Sequence, residues 1–276
     1  MEFSQSLGRS LATTCLVLVV SLSSAVAQSA KEFEPAEGQQ GKDVIWVPTS
    51  QALVNKMLEV AQVTSEDYVV DLGSGDGRTV ISAAKRGATA LGVEYNPDMV
   101  ALSQRTAAKE GVSDKATFAK ADLFESDFAQ ATVVTMFLLS ELNLRLRPKI
   151  LDMKPGTRVV SNTFDMGDWT PEETIHANVG CRRYCTGYYW VVPAKVEGTW
   201  RLPQGELTLQ QKYQMISGTL KSGKVTALVK GKLSGDRITF TAGAMEYTGR
   251  VNGNTIEGSS KPVVKESNWQ ATRAAK

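Results

Sequence analysis

The segment Tyr68-Val-Val-Asp-Leu-Gly-Ser-Gly-Asp-Gly-Arg78 constrains the fold more than any other stretch of this chain. A β-branched run (Val69, Val70) ends at Asp71, three glycines follow at alternate positions (Gly73, Gly75, Gly77), and an amphipathic segment begins at Arg78. The pattern reads as a strand, a tight glycine turn and a helix start. Such a turn lets a nucleotide-like ligand approach bare backbone N–H groups at a helix N-terminus. The spacing is G-x-G-x-G, and Arg78 fills the place where the dinucleotide fingerprint has its last glycine. A side chain there is expected to crowd the helix–strand packing of an NAD-type site.

Two further strand-like runs end in carboxylates. Ala88–Val93 leads into Glu94-Tyr95-Asn96-Pro97, which places an acid where two ribose hydroxyls can donate to it. After a helical stretch, Asp98–Glu110, the run Ala116–Ala121 ends in Asp122-Leu123. That carboxylate can accept from an adenine amino group while the next backbone N–H donates to the ring. One such acid alone reads equally well as a helix cap or a solvated loop residue. Three in order, behind a glycine turn, form a crescent for an adenosyl ligand, with S-adenosylmethionine (SAM) as the expected cofactor.

The residues resemble a known family. Trp46-Val-Pro-Thr49, Asp71-Leu-Gly-Ser-Gly-Asp-Gly-Arg78, Gly92-Val-Glu-Tyr-Asn-Pro97, Leu146-Arg-Pro-Lys149 and Lys154-Pro-Gly-Thr-Arg-Val-Val-Ser161 are similar to motifs of class I, seven-strand SAM-dependent methyltransferases. The narrower resemblance is to small lysine methyltransferases of the ATP synthase and adenine nucleotide translocase type, with a weaker echo of the non-SET histone lysine methyltransferases. It covers roughly 44–194. It implies that Asp71, Gly73, Gly75, Glu94 and Asp122 contact SAM, with Thr49 near its methionine end. Ser74, Gly77, Tyr95 and Leu123 complete the candidate cofactor-binding set.

The chain has 276 residues, long enough for one large and one small domain. Its formal net charge of +2 supplies no basic stripe and so no electrostatic case for nucleic-acid binding. The expected organisation is a signal peptide over 1–27, a linker over 28–43, a methyltransferase domain over 44–195 and a β-rich domain over 196–276. Arg9, the apolar run Leu11–Val20 and Ala25-Val26-Ala27 make up the leader, with cleavage expected after Ala27. Export to the periplasm follows, with no stable membrane span after cleavage; an uncleaved anchor is the alternative, although the apolar run is short for a span. Export sits uneasily with a cofactor made in the cytoplasm. Either SAM reaches the compartment, or the leader is inefficient, or the domain binds another adenosyl compound.

Beyond the leader, Cys181 and Cys185 flank Arg-Arg-Tyr. In an oxidising compartment two close thiols suit a disulfide. The alternative, a metal site, falls short of the four ligands zinc needs, and no metal is expected. His176 is the one histidine of the chain. It can be a general base or an ordinary strand residue, and no G-x-S-x-G elbow accompanies it.

Ser50–Gln62 has helical spacing and should cover the pocket, Thr132–Leu139 reads as a buried strand, and Arg147-Pro148 belongs to the next helix. Arg158–Phe164 is the expected fifth strand, and Thr174–Val179 with Tyr188–Val192 the closing hairpin. Methyl transfer needs alignment and desolvation more than acid–base catalysis. The fourth strand carries Phe137-Leu-Leu-Ser-Glu-Leu-Asn143 rather than the Asp/Asn-Pro-Pro-aromatic motif of enzymes that methylate amides or bases. Glu141 and Asn143 are therefore the candidate catalytic residues, Glu141 as an ammonium-orienting group or simply a surface acid at a helix start. Trp46 and Trp169 can flank a substrate channel or pack the core.

From about Gly198 the helical period vanishes. Gly218-Thr-Leu220, Gly231-Lys-Leu233 and Gly249-Arg-Val251 each lead into a glycine turn, so the region reads as a meander or small barrel with Trp200 and Trp269 as plugs. The fold class is thus α/β, a Rossmann-like seven-strand methyltransferase sheet followed by a small all-β domain. Two functions fit. One is a SAM-dependent methyltransferase acting on protein amino groups, with a small-molecule acceptor also open. The other is an exported adenosyl-ligand-binding protein whose β-domain binds a partner. Neither charge nor patterning specifies an oligomeric state.

Overall fold

The structure, a computed structural model, describes residues 1–2, 32–203, 205–261 and 267–275. Beyond its first two positions the expected leader lies outside the described residues. Residues 33–276 form one compact unit.

Helix α1 (Gln51–Val60) starts at Ser50, whose Oγ accepts the Leu53 N–H at 3.3 Å. There follow β1 (Tyr68–Leu72), α2 (Arg78–Lys85), β2 (Thr89–Glu94), α3 (Pro97–Lys109) and β3 (Ala116–Lys120). Then come β4 (Val133–Met136), α4 (Ser140–Leu151), β5 (Arg158–Asn162), β6 (Glu173–His176) and β7 (Thr186–Val191). They build a seven-stranded sheet of order β3-β2-β1-β4-β5-β7-β6. The first five strands run parallel, and β7 is antiparallel to both its neighbours. This is the expected methyltransferase sheet. Strand order reverses at β1, which opens a crevice beyond the carboxyl ends of β1, β2 and β4.

Both faces of the sheet are covered, and the two-residue period of a strand decides which side chain goes where. Val69, Val133 and Val160 pack with Leu53 and Val80 of α1 and α2 on one face. Their neighbours Val70, Val134 and Val159 pack with Leu142, Leu146 and Ile150 of α4 on the other. Two strands are shorter than their apolar runs suggest. β4 stops at Met136, and the chain leaves the sheet at Phe137 to start α4. β5 stops at Asn162 because Thr163 adopts φ +63° and turns Phe164 away from the ladder.

The rest is an antiparallel barrel: β8 (Gly198–Leu202), β9 (Gly205–Lys212), β10 (Met215–Ser222), β11 (Val225–Ser234), β12 (Arg237–Ala242), β13 (Met245–Asn252), β14 (Thr255–Lys261) and β15 (Ser267–Arg273). It closes where β15 meets β8, through Thr272 opposite Arg201 and Arg273 opposite Trp200. Eight strands enclose a space that side chains can fill. Phe240 stacks on Tyr247 at 4.6 Å, and Trp269 meets both rings edge-on at 5.6 and 5.5 Å. Trp200 is wholly buried, and its indole N–H donates to the Val196 carbonyl.

Barrel and sheet are clasped at Asp168. Its carboxylate accepts from the Tyr213 hydroxyl and the Arg147 guanidinium, both at 2.7 Å, and pairs with Lys212 at 3.1 Å. The Tyr213 hydroxyl, then Lys212 and Arg147, hold that carboxyl well below the usual range. Tyr213 also stacks on Trp169, which is 1% exposed and packs on Trp190, so Trp169 is a core residue. Among the described residues no helix is long and apolar enough to cross a membrane.

Candidate functional site

The crevice at the carboxyl ends of β1, β2 and β4 is a cavity of about 510 Å³. Its wall includes Thr49, Asp71, Gly73, Ser74, Gly75, Glu94, Tyr95, Asp122 and Leu123. All are candidates read from the sequence, and the topology brings them together.

The glycine turn shows why each position is small. A Cβ on Gly75 would stand 2.7 Å from the indole nitrogen of Trp46, which lies against the loop. Gly77 is not part of the wall. A Cβ there would stand 2.7 Å from the Phe118 ring and 2.8 Å from the Ser103 Cβ, so Gly77 lets α2 seat on the sheet. The crowding expected of Arg78 does not arise, because Gly77 already occupies the tight contact. The Arg78 side chain turns outward instead: Nε donates to Asp76 at 3.0 Å and Nη1 to the Thr49 carbonyl at 2.8 Å. Asn162 donates to the Thr49 hydroxyl at 3.0 Å, which fixes the methionine end of the pocket from two sides.

Glu94 accepts the Gly75 N–H through Oε2 and the Asn96 N–H through Oε1, both at 2.9 Å. Each carboxylate oxygen keeps a further lone pair for a ligand hydroxyl. Asp122 is bound by the Phe124 N–H at 2.9 Å and by Lys42, whose ammonium also lies 5.0 Å from the Tyr95 ring centre. Lys42 therefore holds the Asp122 carboxyl below its ordinary range. Asp71 is buried beneath the turn and accepts the Thr135 hydroxyl at 2.6 Å. Burial pushes its carboxyl up to about 7 despite that hydrogen bond, with Asp76 and Glu94 adding repulsion.

One buried polar atom tests the fit of an adenosyl ligand. Ser74 is 5% exposed, faces the cavity, and its hydroxyl has no partner among the described residues. A buried hydroxyl left so is costly, and a polar ligand would relieve it. The donor set fits SAM: carboxylates for the ribose and the adenine amine, and a buried acid for the methionyl ammonium.

The catalytic candidates sit elsewhere. Glu141 is exposed on the first turn of α4 and lies outside the cavity wall. Asn143 is wholly buried, and its amide donates to the carbonyls of Phe164 and Asp165 at 3.0 and 3.1 Å. It shapes the loop after β5 rather than facing a reactant. His176 is exposed on β6, its Nδ1 3.1 Å from the Thr186 hydroxyl. Sequence reasoning missed the far end of the cavity, where Phe137, Phe164 and Tyr184 form a wall beyond Leu138 and Leu139. Cys181 and Cys185 form a disulfide, and Tyr184 lies within the loop it closes.

Residues 71–173 match the family model described as the ANTKMT methyltransferase domain. A protein-lysine N-methyltransferase of Saccharolobus islandicus (strain REY15A) is 43% identical over 152 residues, covering 54% of this chain and 94% of that protein. An ATP synthase lysine N-methyltransferase of Rattus norvegicus is 34% identical over 169 residues, 61% of this chain and 72% of that one. Among solved structures, an RNA methyltransferase from Salinibacter ruber in complex with S-adenosyl-L-homocysteine shares 43% identity at a TM-score of 0.51. That alignment covers 54% of this chain and 96% of the other.

Proposed function

Because the chain belongs to the lysine methyltransferase family built on the ANTKMT methyltransferase domain, and is a SAM-dependent methyltransferase, we propose that its acceptor is a lysine side chain of a protein. The observation that carries this reading is the two-part cavity. Its adenosyl half is lined by Asp71, Glu94 and Asp122, and it runs directly into an apolar half bounded by Phe137, Leu139 and Phe164.

SAM supplies a methyl group on a sulfonium: the amine lone pair forms the new N–C bond, the C–S bond breaks, and its electron pair stays on sulfur in S-adenosylhomocysteine. The chain's task is to bind, align and exclude water. Glu94 and Asp122 would hold the nucleoside, and Asp71 the methionyl ammonium. Leu138 and Leu139 border the reacting end without offering a competing nucleophile. An apolar throat also disfavours the charged form of an entering ammonium, lowering its pKa so that the proton leaves to solvent before attack. Neither Glu141 nor Asn143 is needed for that step.

The Salinibacter ruber relative, an RNA methyltransferase, raises a nucleic-acid acceptor as the second reading. A net charge of +2 and an aromatic rather than basic mouth favour a protein. Purified protein given SAM labelled in the methyl group, with a protein extract and with total RNA, is expected to label protein and to yield methyl-lysines on hydrolysis. Label in RNA alone would replace the reading.

Export belongs to the same proposal. The leader-like start of the chain and the Cys181–Cys185 bridge both suit an oxidising compartment. Cell fractionation with N-terminal sequencing is expected to find the protein outside the cytoplasm, beginning at Gln28. An intact Met1 on cytoplasmic protein would refute it.

A further inference from the structure

Resting on that reading, we propose that the disulfide-closed loop is the acceptor-positioning element of the enzyme: the Cys181–Cys185 bridge holds Tyr184 as the third wall of an aromatic throat that receives the lysine side chain.

Three rings from three separate segments converge at the far end of the cavity. Phe137 leaves β4, Phe164 follows β5, and Tyr184 sits just before β7. Phe137 and Phe164 stack with centroids 6.0 Å apart and planes at 26°. Tyr184 meets Phe137 edge-on at 5.3 Å and 61°. None of the three is enclosed as a core ring would be: Phe137 and Phe164 are half-buried, and Tyr184 is 41% exposed. Exposed aromatic faces beside a methyl-donor pocket suit a cationic or newly methylated amine, which ring quadrupoles attract.

Each ring is placed by an identifiable device. Asn143 binds the Phe164 carbonyl, and Thr163 holds the left-handed turn that brings Phe164 back to the cavity. Tyr184 is itself left-handed, at φ +56°, a conformation that a non-glycine residue adopts only when its surroundings impose it. Those surroundings are the bridge, with its Cα atoms 5.8 Å apart, the Ala177 N–H donating to the Cys185 carbonyl, and the Thr163 N–H donating to the Thr186 carbonyl. Arg183 adds a tether to Glu37 on the segment that covers the pocket. A short bridged loop restricts Tyr184 to the throat, and opening it would release the ring.

The test uses the full protein saturated with S-adenosylhomocysteine and titrated with Nε-methyl-lysine amide, followed by calorimetry and by ring-proton NMR. The wild type is expected to bind the probe with shifts in the three rings. Tyr184→Ala is expected to weaken it roughly tenfold, the scale of one lost cation–π partner. Tyr184→Phe should restore wild-type affinity. Cys181→Ser with Cys185→Ser should follow the alanine variant, as should wild type treated with a dithiol, which takes up the disulfide's oxidation as its own cyclic disulfide and leaves two thiols. S-adenosylhomocysteine affinity should stay within about twofold throughout, which a general structural role of the loop would not allow. No probe binding by the wild type, or equal binding in Tyr184→Ala, would overturn the throat. Wild-type affinity in the double serine variant would overturn the role of the bridge. Probe binding without lysine methylation would leave the throat standing and sink the proposed reaction instead.

Discussion

Glu94→Ala is expected to weaken SAM binding by more than about a hundredfold. Two charge-assisted hydrogen bonds from ribose hydroxyls are lost, at about 1.5–3 kcal/mol each, and about 3 kcal/mol already corresponds to two decades in Kd. The structure adds to this figure. Glu94 also accepts the Gly75 and Asn96 N–H groups, so its removal frees the glycine turn from the end of β2 at the moment the ligand needs it rigid. Glu94→Gln keeps one acceptor oxygen and should fall between the two. Calorimetry with SAM and with S-adenosylhomocysteine measures both variants, because the ribose is common to the two ligands. Unchanged affinity for either ligand in the alanine variant would move the ribose away from the tip of β2.

The adenosyl half of the site was legible because its signals are local. A strand run, the turn that ends it and the acid at its tip lie within a few residues of one another, and parallel pairing then sets the three tips side by side. What needed coordinates depends on rotation about helix axes or on contacts between distant segments. Gly77 and Arg78 are neighbours, and only the seating of α2 decides that the glycine meets Phe118 while the arginine reaches Thr49. Asn143 looks like a polar residue near the reacting edge, yet its partners are carbonyls of the loop after β5. The Lys42–Asp122 pair and the Phe137–Tyr184 contact each join segments with no pattern in common. The hairpins of the second domain carry their own turn signals. Its closure rests on β15 meeting β8 across the whole length of that domain, which no local pattern records.

SAM affinity is expected to fall about tenfold per pH unit as the pH drops below about 7, and the cause is Asp71. In the free protein, burial first, then repulsion from Asp76 and Glu94, raise this carboxyl to about 7, with the Thr135 hydroxyl pulling the other way. The methionyl ammonium is a cation, and a cation beside the carboxyl favours its ionised form. Binding therefore expels a proton wherever the free carboxyl is protonated, and each unit of acidification below its pKa costs about 1.4 kcal/mol. The decline should stop once the lower pKa of the bound state is reached. Above about pH 8 affinity should fall again as the ligand's own α-amino group loses its proton. The ligand-free fold shows the linked effect. Unfolded, Asp71 releases its proton near its ordinary value of about 3.9; folded, it keeps it to about 7. Its contribution to stability is thus full below the unfolded value and lost as the pH rises through the folded one. SAM should consequently raise the melting temperature more at about pH 7.5 than at about pH 5.5. In Asp71→Asn the maximum affinity should drop and the acid limb should flatten. A wild-type Kd that stays constant between about pH 5.5 and about pH 7.5 would show that the buried carboxyl does not meet the ammonium.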